Sequence, residues 1–193
     1  MIPRRLAITV VVLLLATAAL GGYVLHLKHS AEKSPATSVD TRPVAPPVAG
    51  STTAVTFFLA NDSDGALHQR TVNIALPDEP SKRGLEILRA LVGQYLKPDS
   101  THPLGASSDI SDVYVLNNIA VIDTNAAFGD GHRSGILVEQ LTLASLAKTL
   151  AANLPGITAI KLLVDGQERP TLAGHADLSA PYEVANAAPL VKE

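Results

Sequence analysis

The segment from residue 157 to residue 179 restricts the possible folds more than any other part of the sequence. It begins with the mostly apolar run ITAIKLLV, which is followed directly by Asp165 and Gly166. Apolar runs of this length that end at an Asp-Gly pair are typical of a buried strand followed by a tight turn. The polar residues QERPTLAGHADLS are therefore predicted to turn back and complete the sheet.

Length, charge and composition narrow the classes of function. The chain has 193 residues, a net charge of −3 and no cysteine. This length allows about one domain with extensions. The negative charge gives no electrostatic support for a nucleic-acid partner. The lack of cysteine excludes disulfides, thiolate metal sites and cysteine nucleophiles.

Residues 1–28 are predicted to form an N-terminal signal anchor. Arg4 and Arg5 precede residues 6–25, which carry no charge and are about long enough to span a bilayer as a transmembrane helix. A cleaved signal peptide is the alternative, because residues 16–18 have the small-residue pattern of a cleavage site. The apolar run continues past that site, which favours a single-pass anchor with the rest of the chain extracytoplasmic.

Three further regions follow the predicted anchor. Residues 29–53 are rich in Pro, Ala, Ser and Thr, a composition that predicts a flexible tether. Residues 54–183 carry the regular hydrophobic patterns of a folded domain, and residues 184–193 are predicted to be a C-terminal tail.

The hydrophobic patterns predict an α+β fold with the order ββαββαβ. Alternating polarity predicts strands, and apolar residues at three-to-four spacing predict helices, for which Ser81 and Ser134 are the expected N-caps. The expected architecture is one mixed, mostly antiparallel sheet with two helices packed on one face. The predicted strands span residues 54–60, 67–76, 110–116, 119–124 and 157–164, and the predicted helices span residues 81–96 and 136–154.

Four segments, in order, resemble the GerMN domain, which is named for sporulation and spore-germination proteins. The first is the helix GLEILRALVGQYLKP, in which Gly93 matches and the proline comes later than in the family, at Pro98. The second, NIAVIDTNAAF, keeps Val121, Asp123 and Phe128 and has Asn118 where the family has a turn glycine. The third is the later helix, which matches through Thr149 and Leu150. The fourth keeps Val164, Asp165, Gly166, Leu172, Gly174, His175, Asp177, Leu178, Ser179 and Pro181. The resemblance covers most of residues 54–182.

The resemblance implies a small domain held outside the membrane, with no known enzymatic activity and no cofactor. The leading hypothesis is a non-catalytic, membrane-anchored interaction module of the bacterial cell envelope, linked to sporulation, germination or cell-wall complexes. Its partner would be a cell-envelope protein or peptidoglycan, bound through the sheet faces or the loops at 129–135 and 166–179. The alternatives are a cell-wall hydrolase or its accessory, and a self-associating ring or stalk component.

Four residues are the candidates for a functional cluster: Asp123, Asp165, His175 and Asp177. His175 and Asp177 could supply a metal pair, with His132 or Asp165 as further ligands, although zinc sites need three or four ligands. Asp123 and Asp165 could form an acid–base pair if burial separated their pKa values. For each residue the alternative is a hydrogen bond within a turn. A cell-wall enzyme requires all four to converge in one cleft.

Two other patterns give weaker indications of chemistry. Gly129, Gly131 and Gly135 lie before a predicted helix, where exposed amides could bind an anion. Their spacing matches neither a dinucleotide-binding nor a Walker motif. Ser134 lacks the GxSxG pattern of a hydrolase nucleophile. The sequence therefore predicts no catalytic residue and no metal site.

Overall fold

The chain adopts an α+β fold, as the alternation of hairpins and helices predicts. The computed structural model describes residues 52–192, which fall within one compact unit. The strands are β1 (Thr52–Asn61), β2 (Ala66–Ala75), β3 (Ile110–Leu116), β4 (Ile119–Thr124), β5 (Ala159–Val164), β6 (Tyr182–Glu183) and β7 (Val191–Lys192). The helices are α1 (Pro80–Tyr95), α2 (Ala126–Asp130) and α3 (Ile136–Asn153), and a 3-10 helix spans Val184–Leu190.

The predicted membrane anchor at residues 1–28 lies outside the described residues, as does the predicted tether up to residue 51. Between residues 52 and 192, none of the helices is both long enough and apolar enough to cross a bilayer.

The tight turns form where the sequence predicts them. Asn117 joins β3 to β4 with a φ of 56°, and Asp165 and Gly166 have φ values of 50° and 70°. Left-handed angles at such positions favour Gly, which has no Cβ atom, and Asn and Asp, whose short polar side chains can hydrogen-bond locally. Val164 and Gln167 hydrogen-bond each other across the Asp165–Gly166 turn.

The prediction of a single sheet is wrong, because the strands form two. One sheet has three strands in the order β1-β2-β7, and the other has four in the order β3-β4-β5-β6. In the first sheet, β1 and β2 are antiparallel and β7 is parallel to β2. In the second, β4 and β5 are parallel and the other pairs are antiparallel.

The outer edge of β1 explains why the two sheets stay separate. Side chains from the helices and one loop hydrogen-bond the backbone groups there, where another strand would otherwise pair. Both the N–H and the carbonyl of Thr56 bond the Asn153 amide, at 3.0 and 2.8 Å. The same pattern continues along the edge, with Thr149 and Ser145 at Phe58, and Tyr95 and Thr101 at Ala60. A strand edge covered in this way is closed to further pairing.

The two long helices form the main packing layers against the sheets. Helix α3 packs mainly on β1, whereas α1 packs mainly on β3. Burying apolar side chains between these layers is the dominant stabilising term. The largest fully buried side chains include Phe57, Phe128, Ile87, Leu88, Leu91, Ile122, Leu141, Leu143, Leu146 and Leu150.

The folded domain continues beyond the boundary predicted at residue 183. The residues expected to form a C-terminal tail instead supply the 3-10 helix and β7, which pairs with β2. Ala187 of the 3-10 helix is completely buried. The segment after Gly166 forms only isolated bridges before β6 pairs with β5. The closing strand of the sheet is therefore short and comes later than the sequence indicates.

Both predicted helix caps differ from those in the structure. Glu79 caps α1, and its carboxylate accepts hydrogen bonds from the amides of Ser81 and Lys82. The Ser81 hydroxyl instead accepts from the Val115 amide of β3. Helix α3 begins after Gly135, which has no side chain to cap the helix. The carboxylate of Glu139, within α3, instead accepts a hydrogen bond from the Gly135 amide.

Candidate functional site

Asp123 and Asp165 hold the ends of β4 and β5 together. Asp123 accepts a hydrogen bond of 2.7 Å from the Gly166 amide, and Asp165 accepts one of 3.0 Å from the Ala126 amide. Each carboxylate therefore satisfies a backbone N–H at a turn, which is the structural alternative considered for these residues. The acid–base hypothesis finds no support in these contacts.

His175 and Asp177 are close in sequence but engage different partners. The Asp177 carboxylate accepts from both the amide and the hydroxyl of Ser179, at 2.8 and 2.6 Å. These hydrogen bonds hold the pKa of Asp177 below its ordinary value. Both His175 and Asp177 line one surface groove, but Asp123 and Asp165 do not. The four candidates therefore do not share a cleft, and the described residues contain no metal-binding group of three or more His, Asp or Glu side chains.

A carboxylate that the sequence analysis did not single out, Glu139, organises the loops around the start of α3. Its side chain is completely buried. Oε1 accepts hydrogen bonds from the Gly135 amide and from His175 Nδ1, at 3.0 and 2.9 Å. Oε2 accepts from three amides, those of Ala173, His175 and Ala176, at 2.8–3.0 Å. One side chain thus fixes the loop before α3 to the loop that contains His175.

The hydrogen bonds keep Glu139 ionised although it is buried. Burial alone would raise its pKa, since a low dielectric disfavours the charged form. The hydrogen bonds from Ala176, Gly135, His175 and Ala173 outweigh that effect and lower the pKa of Glu139 to about 2. Charge-assisted hydrogen bonds of this kind are about twice as strong as neutral ones. This buried carboxylate and its five hydrogen bonds, the Glu139 clamp, therefore stay intact until the pH falls towards 2.

A second polar network lies one turn further along α3. The Thr142 hydroxyl contacts Nε2 of His102 and Nε2 of His132, at 2.7 Å in each case. His102 Nδ1 donates to Asp62, at 2.6 Å, and His132 Nδ1 donates to the Arg133 carbonyl, at 2.8 Å. Burial lowers the pKa of both histidines. His132, considered above as a metal ligand, is therefore committed to this network.

The series Asp62, His102 and Thr142 has the connectivity of a catalytic triad but lacks access to substrate. His102 is 0% exposed and Thr142 is 1% exposed. A nucleophile must reach a substrate carbon, and a hydroxyl enclosed in the core cannot. The network is therefore structural, and it connects α3 to the loops that carry Asp62, His102 and His132.

The same loops also meet through backbone contact and an ion pair. A Cβ atom on Gly105 would lie 2.8 Å from the Gly131 carbonyl oxygen, so any larger residue there would push the two loops apart. Arg133 forms an ion pair with Asp62 at the protein surface. These contacts fix the position of the loop at 129–135 from its other side.

An exposed rim surrounds the two networks. Ile136 at the start of α3 is 63% exposed, and its neighbour Leu137 is also exposed. The side chains of Arg133 and His175 are about half exposed. Exposed apolar residues beside polar ones, on loops held by a rigid scaffold, are typical of a binding surface. We call this surface, formed by residues 129–137 and 171–177, the α3 rim.

The loops were identified by sequence, but the residues that join them were not. Glu139 is the sole acidic residue of α3, and an isolated carboxylate in an apolar helix is a signal for a buried hydrogen-bonding role. His102 lies in the loop THPLG, where no pattern marks it.

Comparisons with known proteins agree with this fold. The Germane family model, described as "Sporulation and spore germination", matches residues 55–170, more than half of the chain. A search of curated proteins finds no match.

Two solved bacterial structures are similar to this chain. A candidate lipoprotein from Clostridium perfringens is 22% identical with a TM-score of 0.50, over 78% of this chain and 99% of that one. The tandem GerMN domains of the sporulation protein GerM from Bacillus subtilis are 20% identical with a TM-score of 0.52, over 68% of this chain and 46% of that one. At these identities the likeness shows a shared fold. Together with the family match, it means that this chain belongs to the Germane family of sporulation and spore-germination domains.

Proposed function

We propose that this chain is a non-catalytic, membrane-anchored interaction module of the bacterial cell envelope that binds its partner through the α3 rim. The observation that carries the proposal is the Glu139 clamp, in which one buried carboxylate accepts five hydrogen bonds and fixes two exposed loops against each other. Preorganised loops bind more tightly because less conformational entropy is lost on association. A rigid rim with exposed apolar residues is suited to recognition.

A cell-wall hydrolase is less well supported. Its candidate carboxylates hydrogen-bond backbone amides in separate turns. The triad-like series of Asp62, His102 and Thr142 ends at a buried hydroxyl. Neither arrangement offers a nucleophile or a general acid to a substrate.

The proposed location outside the membrane predicts the orientation of the folded domain. The uncharged run at residues 6–25 supports a membrane anchor, and one structural relative is itself a candidate lipoprotein. A reporter enzyme that is active only outside the cytoplasm, fused after Glu193 of the full chain, is expected to be active. Activity confined to a cytoplasmic reporter at the same position would contradict the proposal.

Site-specific photocrosslinking tests the α3 rim directly. A photoreactive residue in place of Ile136 in the full-length chain is expected to form discrete adducts with an envelope component in growing cells. Leu116 on β3 is the matched control, because it is 60% exposed against 63% for Ile136. Equal adducts at both positions, or none at Ile136, would rule out the α3 rim as the contact surface. Adducts of twice the chain's mass would instead support the alternative of self-association.

A further inference from the structure

A groove beside the α3 rim has the composition of a carbohydrate site. It lies between α3, the segment that precedes β6, and the 3-10 helix, and it has a volume of about 360 Å³. This volume falls within the range of small-molecule pockets, about 300–1,000 Å³. The residues that line it include Gln140, Asn186, Tyr182 and Leu143, together with His175 and Asp177.

We propose that this groove binds an uncharged glycan rich in hydroxyl and acetamide groups, such as a chain of N-acetylhexosamines. Side-chain amides donate and accept hydrogen bonds at once, as do the hydroxyl and acetamide groups of a sugar. An aromatic side chain provides a flat apolar surface with a polar end, which suits the apolar face of a sugar ring. Gln140 and Asn186 are exposed and Tyr182 is half buried, so all three are accessible from solvent.

The charge of the groove disfavours acidic ligands. None of the described residues that line it is lysine or arginine, and Asp177 contributes a carboxylate. Phosphate-rich or carboxylate-rich polymers would need cationic partners to replace their lost hydration. An uncharged glycan needs no cationic partner.

The sheet edge beside the groove argues for a glycan rather than an extended peptide. Strand β6 is the edge strand there, and it has only two residues. A peptide that adds to a sheet gains affinity from a series of backbone hydrogen bonds along a long edge. An edge this short offers few of them, so side-chain recognition dominates.

This inference rests on the proposed function, because it names a ligand class for the same face of the domain. The test is a titration of the full-length chain, in detergent micelles, with the tetramer of N-acetylglucosamine, followed by NMR. We expect binding in the millimolar range, with shifts concentrated at the groove. Tyr182→Ala should weaken binding about tenfold, and Gln140→Ala about threefold. Tyr114→Ala, which removes an exposed aromatic ring from β3, should leave affinity unchanged.

The outcomes separate this inference from the proposed function. Tyr182 pairs with Ile160 in the sheet, so a Tyr182→Ala chain that fails to fold gives no answer. Gln140→Ala and Asn186→Ala, at two exposed positions, then decide the result. Unchanged affinity in both of those variants would overturn the inference. Shifts at the groove with poly(glycerol phosphate) or a short cell-wall peptide, and none with the sugar tetramer, would overturn it as well. If photocrosslinking at Ile136 yields adducts and no sugar binds, the glycan site is rejected and the α3 rim remains supported as the contact surface.

Discussion

Replacing Glu139 with glutamine is expected to lower the free energy of unfolding by about 3 kcal/mol, measured by urea denaturation at neutral pH. The substitution preserves shape but replaces one carboxylate oxygen with an NH2 group. Oε1 faces two donors and Oε2 faces three. In either orientation the NH2 group of the glutamine side chain therefore faces at least two of these donors. Those buried N–H groups then have no acceptor.

The matched control for this substitution is Glu168→Gln. The Glu168 side chain is 71% exposed and lies 3.4 Å from Lys161. Exposed ion pairs contribute about 0–1 kcal/mol, so the control variant should unfold almost as the wild-type chain does. An equal loss of stability in both variants would mean that the Glu139 clamp contributes nothing beyond a general effect of charge.

Acid should reduce the effect of the Glu139 substitution. The pKa of Glu139 is lowered to about 2 from an ordinary value of 4.5. A depressed folded-state pKa contributes stability that is present above the unfolded value and is lost as pH falls towards the folded value. A shift of this size corresponds to about 3 kcal/mol. The wild-type and Glu139→Gln chains should therefore differ fully above pH 4.5 and converge near pH 2. A difference that did not change with pH would contradict the ionised clamp.

Local features of this fold could be predicted from sequence because local chemistry determines them. Strands β3 and β4 lie at the predicted residues because Asn117 adopts the left-handed angles that the turn between them requires. Helix α3 ends near the predicted position because Pro155 and Gly156 cannot extend it. In each case the determining residues are neighbours in sequence.

The division into two sheets depends on residues that are far apart in sequence. The edge of β1 is closed in part by Asn153, which lies 97 positions from Thr56. The hydrophobic periodicity of a strand carries no information about whether a side-chain amide from a distant helix will hydrogen-bond its backbone groups. The alternating pattern of β1 is compatible with one sheet or two, so the sequence could not decide between them.

The candidate site shows the same limit. The loops at 129–135 and 166–179 could be identified because Gly and polar residues mark them. Their junction could not, because Glu139 meets Ala176 across 37 positions. Asp123, Asp165 and Asp177 were visible as titratable residues in turns, and their carboxylates accept hydrogen bonds within or next to those turns. The functional hypothesis therefore rested on titratable side chains at turns. Glu139, the buried carboxylate that organises the α3 rim, carries no such mark in the sequence.

Replacing Thr142 with valine is expected to lower the free energy of unfolding by about 2 kcal/mol. Valine has nearly the same shape as threonine, so the change removes the hydroxyl with little disturbance of packing. Nδ1 of His102 and Nδ1 of His132 both face acceptors, so Nε2 of each neutral ring is an acceptor that faces Thr142. The single hydroxyl proton of Thr142 can be donated to one of these nitrogens at a time, and in the variant that hydrogen bond is lost inside the core. A buried polar atom without a partner costs about 1–3 kcal/mol.

Two further variants distinguish the loss of the buried hydroxyl from the other consequences of replacing Thr142. Thr142→Ser retains the hydroxyl and should retain most of the stability, losing only the contribution of a buried methyl group, about 1 kcal/mol. Thr71→Val on the exposed face of β2 removes a solvated hydroxyl and should change stability by less than about 0.5 kcal/mol. If Thr142→Val were as stable as the wild-type chain, the two histidines would not depend on the hydroxyl. The hydroxyl would then not be what holds the loops that carry Asp62, His102 and His132 to α3.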